Sequence, residues 1–180
     1  MTEIRLTILE TPRLLLRQLT MEDLGALFAL YADPEVQTYF PEGTLTYEET
    51  EEELRWIIDV YYAQYGFGLW ATVEKETGAF IGRCGLLPWT IEGRSEVEVA
   101  YMLAKAWWGQ GLATEAAQAI LTYGFEKLPV TRLICLIDAS NQASVSVATK
   151  IGMTYERDVE DRFGWASLYA ITRSGSFNNG

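Results

Sequence analysis

The chain has 180 residues, of which 49% are hydrophobic and 22% charged, and its 14 Lys and Arg against 25 Asp and Glu side chains give a formal net charge of −11. It contains no histidine, which excludes a Ser-His-Asp triad, a Cys-His dyad, a His-ligated zinc site and an imidazole general base. The acidic balance gives no electrostatic preference for nucleic acid or anionic membranes, and no apolar run approaches the roughly 20 residues that span a bilayer.

The length and composition of the chain predict a single cytoplasmic domain over residues 1–173, followed by a flexible tail at 174–180. The first residues include Glu3 and Glu10 and have no continuous apolar core, so we do not expect a signal peptide. Cys84 and Cys135 lie in apolar runs without metal-ligand spacing. They are therefore predicted to be buried free thiols, and no metal site is expected.

Hydrophobic periodicity predicts strands and helices in the order βαα-βββ-αβ-αββ. The predicted strands cover residues 13–17, 69–74, 79–87, 97–103, 132–138, 154–160 and 165–172. The predicted helices begin near Thr20, Thr46, Gly111 and Asn141, and end before Pro34 and near Tyr65, Lys127 and Ile151. Strand 97–103, the helix from Gly111 and strand 132–138 form one βαβ unit, whereas the other connections suit antiparallel pairs.

The turn at 107–111 connects the first strand of this unit to its helix. Gly109 and Gly111 allow backbone to approach a ligand closely or to adopt positive φ. The first N–H groups of a helix have no intrahelical acceptor, and together with the helix dipole they favour an anion such as a phosphate. The sequence therefore predicts an anion site that is made by backbone groups.

Several ligands could suit such a turn. A phosphate-binding loop of the GxxxxGK[ST] type is excluded because no Gly-Lys pair lies near it. A dinucleotide fingerprint GxGxxG is half met, since Thr114 stands at its third glycine, and Asp138 follows the next strand as a ribose-binding acid would. A glycine turn without any ligand is the remaining alternative from the residues alone.

Three separated segments resemble the Gcn5-related N-acetyltransferase (GNAT) superfamily. Residues 100–116, with Trp108-Gly109-Gln110-Gly111-Leu112-Ala113-Thr114 at their centre, resemble its acyl-CoA motif. Residues 10–17 resemble the opening strand of the branch that acetylates ribosomal-protein N-termini, and residues 141–153 resemble its Asn-x-x-Ser…Lys-x-Gly-Phe element.

This resemblance implies an α+β fold with a central twisted sheet, mixed but mostly antiparallel. About seven strands are expected, flanked by four helices and splayed between strands 97–103 and 132–138. It implies transfer of an acetyl group from acetyl-CoA to a primary amine, by direct attack of the amine on the thioester. The acceptor would be a peptide or protein N-terminus or a small amine, and the enzyme a monomer or homodimer. The alternative is a CoA-binding sensor of the same fold that has lost turnover.

The resemblance also implies which residues hold CoA. The strand that contains Tyr101, Met102 and Leu103 would pair with the pantetheine arm. The pyrophosphate would be held by the N–H groups of Gly109, Gln110, Gly111, Leu112, Ala113 and Thr114. Asn141 is the remaining residue expected to bind CoA. The first position of the family signature is Arg or Gln, and this chain has Trp108 there.

For catalysis, the family commonly uses a tyrosine to protonate the thiolate, but the matching position is Ala148. The related N-terminal acetyltransferases use a serine in such a place, so Ser144 on that helix is expected to take this role, and capping the local backbone is its alternative role. Alternation places Glu96 and Glu98 on one strand face, where Glu98 is the favoured general base and surface solvation is the alternative for both.

The resemblance further implies that aromatic side chains line the acceptor cleft. They are Tyr39 and Phe40, just before the acidic helix, and Trp89, after strand 79–87.

Overall fold

The computed structural model describes residues 6–173, which form eight strands: β1 (Thr7–Glu10), β2 (Leu14–Gln18), β3 (Leu69–Glu74), β4 (Phe80–Ile91), β5 (Arg94–Leu103), β6 (Arg132–Ile137), β7 (Thr154–Asp161) and β8 (Gly164–Thr172). They make one sheet in the order β1-β2-β3-β4-β5-β6-β8-β7. Every pair is antiparallel except β5 with β6, which confirms the predicted mixed sheet. The predicted tail at 174–180 lies outside the described residues.

β1, the edge strand that pairs with β2, was not predicted from the sequence. Its four residues have exposed ends and partly buried centres, so no alternation is long enough to indicate a strand. Its register with β2 is also irregular between Thr7 and Leu9.

β4 extends beyond the predicted end at residue 87. The next residue, Pro88, has no N–H to donate, and proline is rare inside a paired strand. In the structure β3 pairs with β4 only as far as Gly85, and the Leu86 N–H donates to Gly68 at 3.0 Å. The nitrogen of Pro88 lies two residues further on, so it faces the same side of β4 as the Leu86 N–H, but beyond the end of β3. Proline is tolerated there because no ladder hydrogen bond is lost.

The α-helices in residues 6–173 are α1 (Leu24–Tyr31), α2 (Tyr47–Trp56), α3 (Leu112–Lys127) and α4 (Gln142–Lys150). The helix predicted from Thr46 changes form part-way, because Ile57–Tyr65 is a π-helical segment. Gly66 ends it with a φ of 74°. None of the helices in this part of the chain is both long and apolar enough to cross a membrane.

Apolar side chains pack on both faces of the sheet. On one face, Val99 and Leu103 of β5 pack in the cluster that includes α3 residues such as Ile120. On the other face, Ala100 and Met102 pack in the cluster that includes residues of α1 and α2. This alternation confirms the two faces predicted for strand 97–103. Cys84 and Cys135 are buried and free, as predicted.

The sheet opens between β5 and β6. These parallel strands are in register at one pair, Glu98 with Ile134. Beyond Glu98, the side of β5 that faces β6 therefore has no strand partner. The predicted splay is confirmed, and it lies where the β5–α3 turn and α4 approach the sheet.

Candidate active site

Two cavities meet at the splay. The sheet cavity has a volume of about 570 Å³, and it is lined by Glu98 and by aromatic residues such as Trp89. The turn cavity, of about 490 Å³, is lined by the β5–α3 turn and by α4. Both are lined by Tyr39, Phe40, Tyr101, Asn141 and Ser144. A molecule lying across the splay can therefore contact both cavities.

The turn cavity presents a row of free backbone N–H groups. Gly109 and Gly111 have φ of 72° and 78°, the left-handed conformation that glycine adopts without steric cost. The first intrahelical bond of α3 runs from the Glu115 N–H to the Gly111 carbonyl at 3.0 Å. Within the described residues, the N–H groups of 109–114 have no acceptor. This arrangement, at the N-terminus of a helix, suits a phosphate or pyrophosphate.

The β1–β2 corner holds this turn in place through Glu115. Thr11 Oγ1 donates to Glu115 Oε1 at 2.6 Å, and Arg13 Nε donates to Oε2 at 2.7 Å. Arg13 Nη1 also donates to the Gln110 carbonyl at 2.9 Å. Partial burial raises the pKa of Glu115, but these hydrogen bonds outweigh it, and the pKa is lowered. The glycine pattern gave no signal of this support.

The residues predicted to bind CoA, except Gln110, all line the turn cavity. The side chain of Gln110 instead donates to the Ala106 carbonyl at 3.2 Å. Trp108, which replaces the polar residue of the family signature, is 47% exposed and its Nε1 donates to the Leu103 carbonyl at 2.8 Å. The indole therefore joins the turn to the end of β5.

The backbone of Tyr101 faces the splay. The carbonyl of Val99 accepts from Cys135 Sγ and that of Leu103 from Trp108 Nε1, so both point away from β4. Tyr101 lies between them in an extended strand, so its N–H and carbonyl also point away from β4. An extended ligand arm in the splay could pair with them as an added strand would.

Glu98 is buried in the sheet cavity, with 9% of its surface exposed. Its Oε2 accepts from Trp89 Nε1 at 2.6 Å and its Oε1 from the Leu136 N–H at 3.3 Å. Burial is the largest influence and raises the pKa of Glu98 to about 7, against the lowering effect of these two donors and of the Arg83 charge. Surface solvation was the alternative for this residue, and it is wrong.

Glu96, two residues earlier on the same face, has a different environment. It is also buried, so surface solvation is wrong for it too, but it forms an ion pair with Arg132 at 3.1 Å. It lines neither cavity. Of the two carboxylates on this face of β5, only Glu98 is placed where a ligand in the sheet cavity could give it a proton.

Ser144 lies where the two cavities join. Its backbone N–H donates to Asn141 Oδ1 at 3.1 Å, and Tyr101 Oη donates to its carbonyl at 2.8 Å. The Ser144 hydroxyl has no hydrogen-bond partner within residues 6–173, so the local capping role belongs to Asn141. Ala148, at the position of the family tyrosine, is fully buried.

The three predicted cleft aromatics, Tyr39, Phe40 and Trp89, all line the sheet cavity. Sequence reasoning missed Arg83, a buried residue of β4 that lines it too. An arginine between glycine and cysteine in a strand gave no sign that its side chain turns inward. Burial is the observation that identifies it.

Residues 13–154 match the acetyltransferase (GNAT) domain family. The chain belongs to this family. It is 38% identical over 173 residues to the uncharacterized protein YkkB of Bacillus subtilis strain 168, with 96% of this chain and 98% of that protein covered. The uncharacterized N-acetyltransferase YoaA of the same organism is 29% identical over 150 residues, with 83% and 84% covered.

The fold of this family member is also that of a solved ribosomal-protein acetyltransferase. The ribosomal L7/L12 alpha-N-protein acetyltransferase RimL, in complex with coenzyme A, superposes with a TM-score of 0.75 at 20% identity, with 93% of this chain and 98% of that chain covered. The splayed mixed sheet with four helices is therefore the GNAT fold, as the sequence resemblance implied.

Proposed function

We propose that this GNAT protein is an acetyl-CoA-dependent N-acetyltransferase that transfers an acetyl group to a primary amine. The observation that supports this most is the junction of the two cavities at the splay, with free N–H groups on one side and the buried carboxylate of Glu98 on the other. One cavity suits an anionic donor and the other an amine. The RimL structure, which shares the fold, holds coenzyme A.

On the donor side, the backbone carries the binding. The N–H groups from Gly109 to Thr114 would hold the pyrophosphate of CoA, and the Tyr101 backbone would pair with the pantetheine arm. The Asn141 amide nitrogen, whose partner oxygen caps α4, is free to donate to the same arm. The acidic net charge of the chain does not prevent anion binding here, since the local helix dipole and amides set the field.

On the acceptor side, Glu98 would act as the general base. An amine enters as an ammonium ion, and the carboxylate takes one proton directly or through water to free the nitrogen lone pair. The nitrogen then forms a bond to the thioester carbonyl carbon, the carbon–sulfur bond breaks, and the nitrogen releases its second proton to water as the amide forms. A backbone N–H of β5 that faces the splay would stabilise the oxyanion.

The leaving thiolate needs a proton, and Ser144 is placed to supply it. Its unpartnered hydroxyl lies at the cavity junction, where it can donate to the sulfur and be reprotonated from solvent. A water molecule in the same place would be the alternative donor. The role of Ser144 rests on position, because Ala148 leaves α4 without the tyrosine that the family commonly uses.

The second candidate, a CoA-binding sensor without turnover, is favoured by Ala148 and by Trp108, which depart from the family pattern. The rate of thiol release from acetyl-CoA, measured with and without a panel of amines and peptides, separates the two. We expect release that depends on the amine. A protein that binds CoA in a calorimeter and releases no thiol with any acceptor would be the sensor instead.

A further inference from the structure

Arg83 is a buried cation that no carboxylate contacts directly within residues 6–173; the nearest link is to Glu53, through the Tyr31 hydroxyl. It is 8% exposed and lines the sheet cavity. Its Nε donates to Tyr31 Oη at 3.1 Å, and that hydroxyl donates to Glu53 Oε1 at 2.8 Å. Within residues 6–173 its two terminal amino groups have no hydrogen-bond partner, and no carboxylate lies within ion-pair distance of the guanidinium.

Arg17 shows how the same chain satisfies another buried arginine. It is 6% exposed, and both of its terminal amino groups donate to the carboxylate of Asp23, at 2.7 and 2.8 Å. Such two-point pairing compensates the cost of removing a guanidinium from water. Arg83 has instead the rings of Tyr31 and Phe40, with centroids 5.7 and 5.8 Å from its Cζ. Aromatic faces orient a guanidinium but do not neutralise it.

The Arg83 side chain lines the sheet cavity, and its two terminal amino groups are unpaired within residues 6–173. A planar fork of unpaired N–H donors is complementary to a carboxylate. Arg162 also lines the sheet cavity and stacks 5.1 Å from the Trp89 ring, but it is exposed, so water screens its charge. Among the two arginines of the cavity, Arg83 is therefore the one that gains most from an anionic ligand group.

Arg83 and Glu98 lie on the same side of neighbouring strands. In the β4–β5 register, Leu87 is opposite Glu98 and Arg83 is opposite Met102. The two charged residues are thus about 13 Å apart along the strands at the backbone, at ~3.3 Å per residue. A ligand that contacts both lies within the sheet cavity of about 570 Å³, with its amine at Glu98 and its anion towards Arg83.

We propose that the acceptor carries a carboxylate as well as its amine, so that the substrate is an amino acid or a compact amino-acid derivative, with Arg83 as the residue that selects the carboxylate. This rests on the proposed acetyltransferase activity. It goes beyond the expected amine acceptor, because the buried Arg83 guanidinium has two terminal amino groups without a hydrogen-bond partner within residues 6–173.

The wild-type protein gives the first test. Each common amino acid is paired with the amine that lacks only its carboxylate, and kcat/KM is measured with acetyl-CoA. We expect loss of the carboxylate to lower kcat/KM by about 10- to 100-fold, the range for one charged hydrogen-bonded contact. If polyamines, aminoglycosides or protein N-termini are acetylated and amino acids are not, this inference is wrong and the proposed function stands. If no amine of any class is acetylated, both are wrong.

Variants of Arg83 give the second test. In Arg83→Met the preference for the carboxylate should disappear, mainly through a higher KM, while Arg83→Lys should restore part of it. Arg162→Met is the matched control and should keep the preference. A merely structural role for Arg83 would lower the rates of both members of a pair equally and leave their ratio unchanged, and that result would contradict the assignment.

Discussion

Glu96 and Glu98 have the same residue type, the same strand and the same face, yet only one has the properties of a base. Glu96 is neutralised by Arg132, whereas Glu98 has two neutral donors and an open cavity in front of it. Burial without a direct ion pair makes the charged form of a carboxylate costly and raises its pKa towards neutrality. A base with a pKa near the working pH is the most effective one.

The pH dependence of the reaction tests this difference. Because Glu98 must be deprotonated to accept a proton, and burial raises its pKa to about 7, kcat/KM should be low in acid and rise with pH through about 7. Glu98→Gln should lower kcat by about 100-fold or more and remove this limb. Glu96→Gln is the matched control: it breaks a buried ion pair and should lower Tm, but it should keep the limb. A wild-type profile in Glu98→Gln would remove the base role.

Ser144 gives a second prediction at the residue scale. Ser144→Ala should lower kcat by about 10-fold or more, because the thiolate loses its nearest proton donor, and should change the Kd of CoA little. Ser146→Ala is the control, since Ser146 is exposed, on the same helix, and lines only the turn cavity. Equal rates in the two variants would mean that water protonates the thiolate.

The β5–α3 turn is the element on which donor binding depends. Its N–H groups are free because the helix begins there, and the β1–β2 corner fixes it through Thr11, Arg13 and Glu115. The binding groups belong to the backbone, so side-chain substitutions that keep the backbone conformation should matter less than loss of a glycine.

A bulky residue at Gly111 should abolish CoA binding. In Gly111→Trp the side chain would occupy the turn cavity, and the left-handed backbone would be strained by about 1–2 kcal/mol. Gly78→Trp is the control, because Gly78 has a φ of 71°, no atom within 4 Å of an added Cβ, and a place in the β3–β4 turn. Titration calorimetry with CoA should show binding in Gly78→Trp only. An unchanged affinity of Gly111→Trp for CoA would contradict the assignment of this turn to the pyrophosphate.

Periodicity was enough to predict the elements with a clear apolar pattern. The helix over 111–127 and strand 132–138 have long regular patterns, and the structure places α3 and β6 there. β1 was too short and too exposed for such a pattern, and the end of β4 was hidden by Pro88. The π-helical segment after α2 preserves an apolar face, so the sequence could not distinguish it from α-helix.

The residues of the candidate site were likewise only partly predictable from the sequence. The glycine turn and Ser144 belong to contiguous motifs, so a resemblance in sequence could point to them. Arg83, Glu115 and the two environments of Glu96 and Glu98 depend on partners far along the chain, such as Tyr31, Arg13 and Arg132. A single sequence does not reveal which distant side chains meet, so for Glu96 and Glu98 it left a general base and a solvated surface residue as alternatives.

At the scale of the whole molecule, the splay between β5 and β6 is the feature that brings the two cavities together. A closed parallel pair at β5 and β6 would bury the backbone of Tyr101 in a ladder and separate the two cavities. Because the strands part after one residue pair, the turn and α4 approach the open edge, and donor and acceptor can meet there. The absence of histidine in the sequence is no obstacle to this chemistry, since a thioester is already activated and Glu98 can accept the proton.

The most direct measurement follows a labelled acetyl group. The protein is incubated with acetyl-CoA labelled in the acetyl group and a panel of amino acids, peptides and other amines, and products are detected by mass spectrometry. We predict that the label appears on an amine nitrogen, with one free CoA thiol for each acetylated molecule and almost none without an acceptor. CoA that binds while the label stays on CoA, or appears only as acetate, would contradict the account.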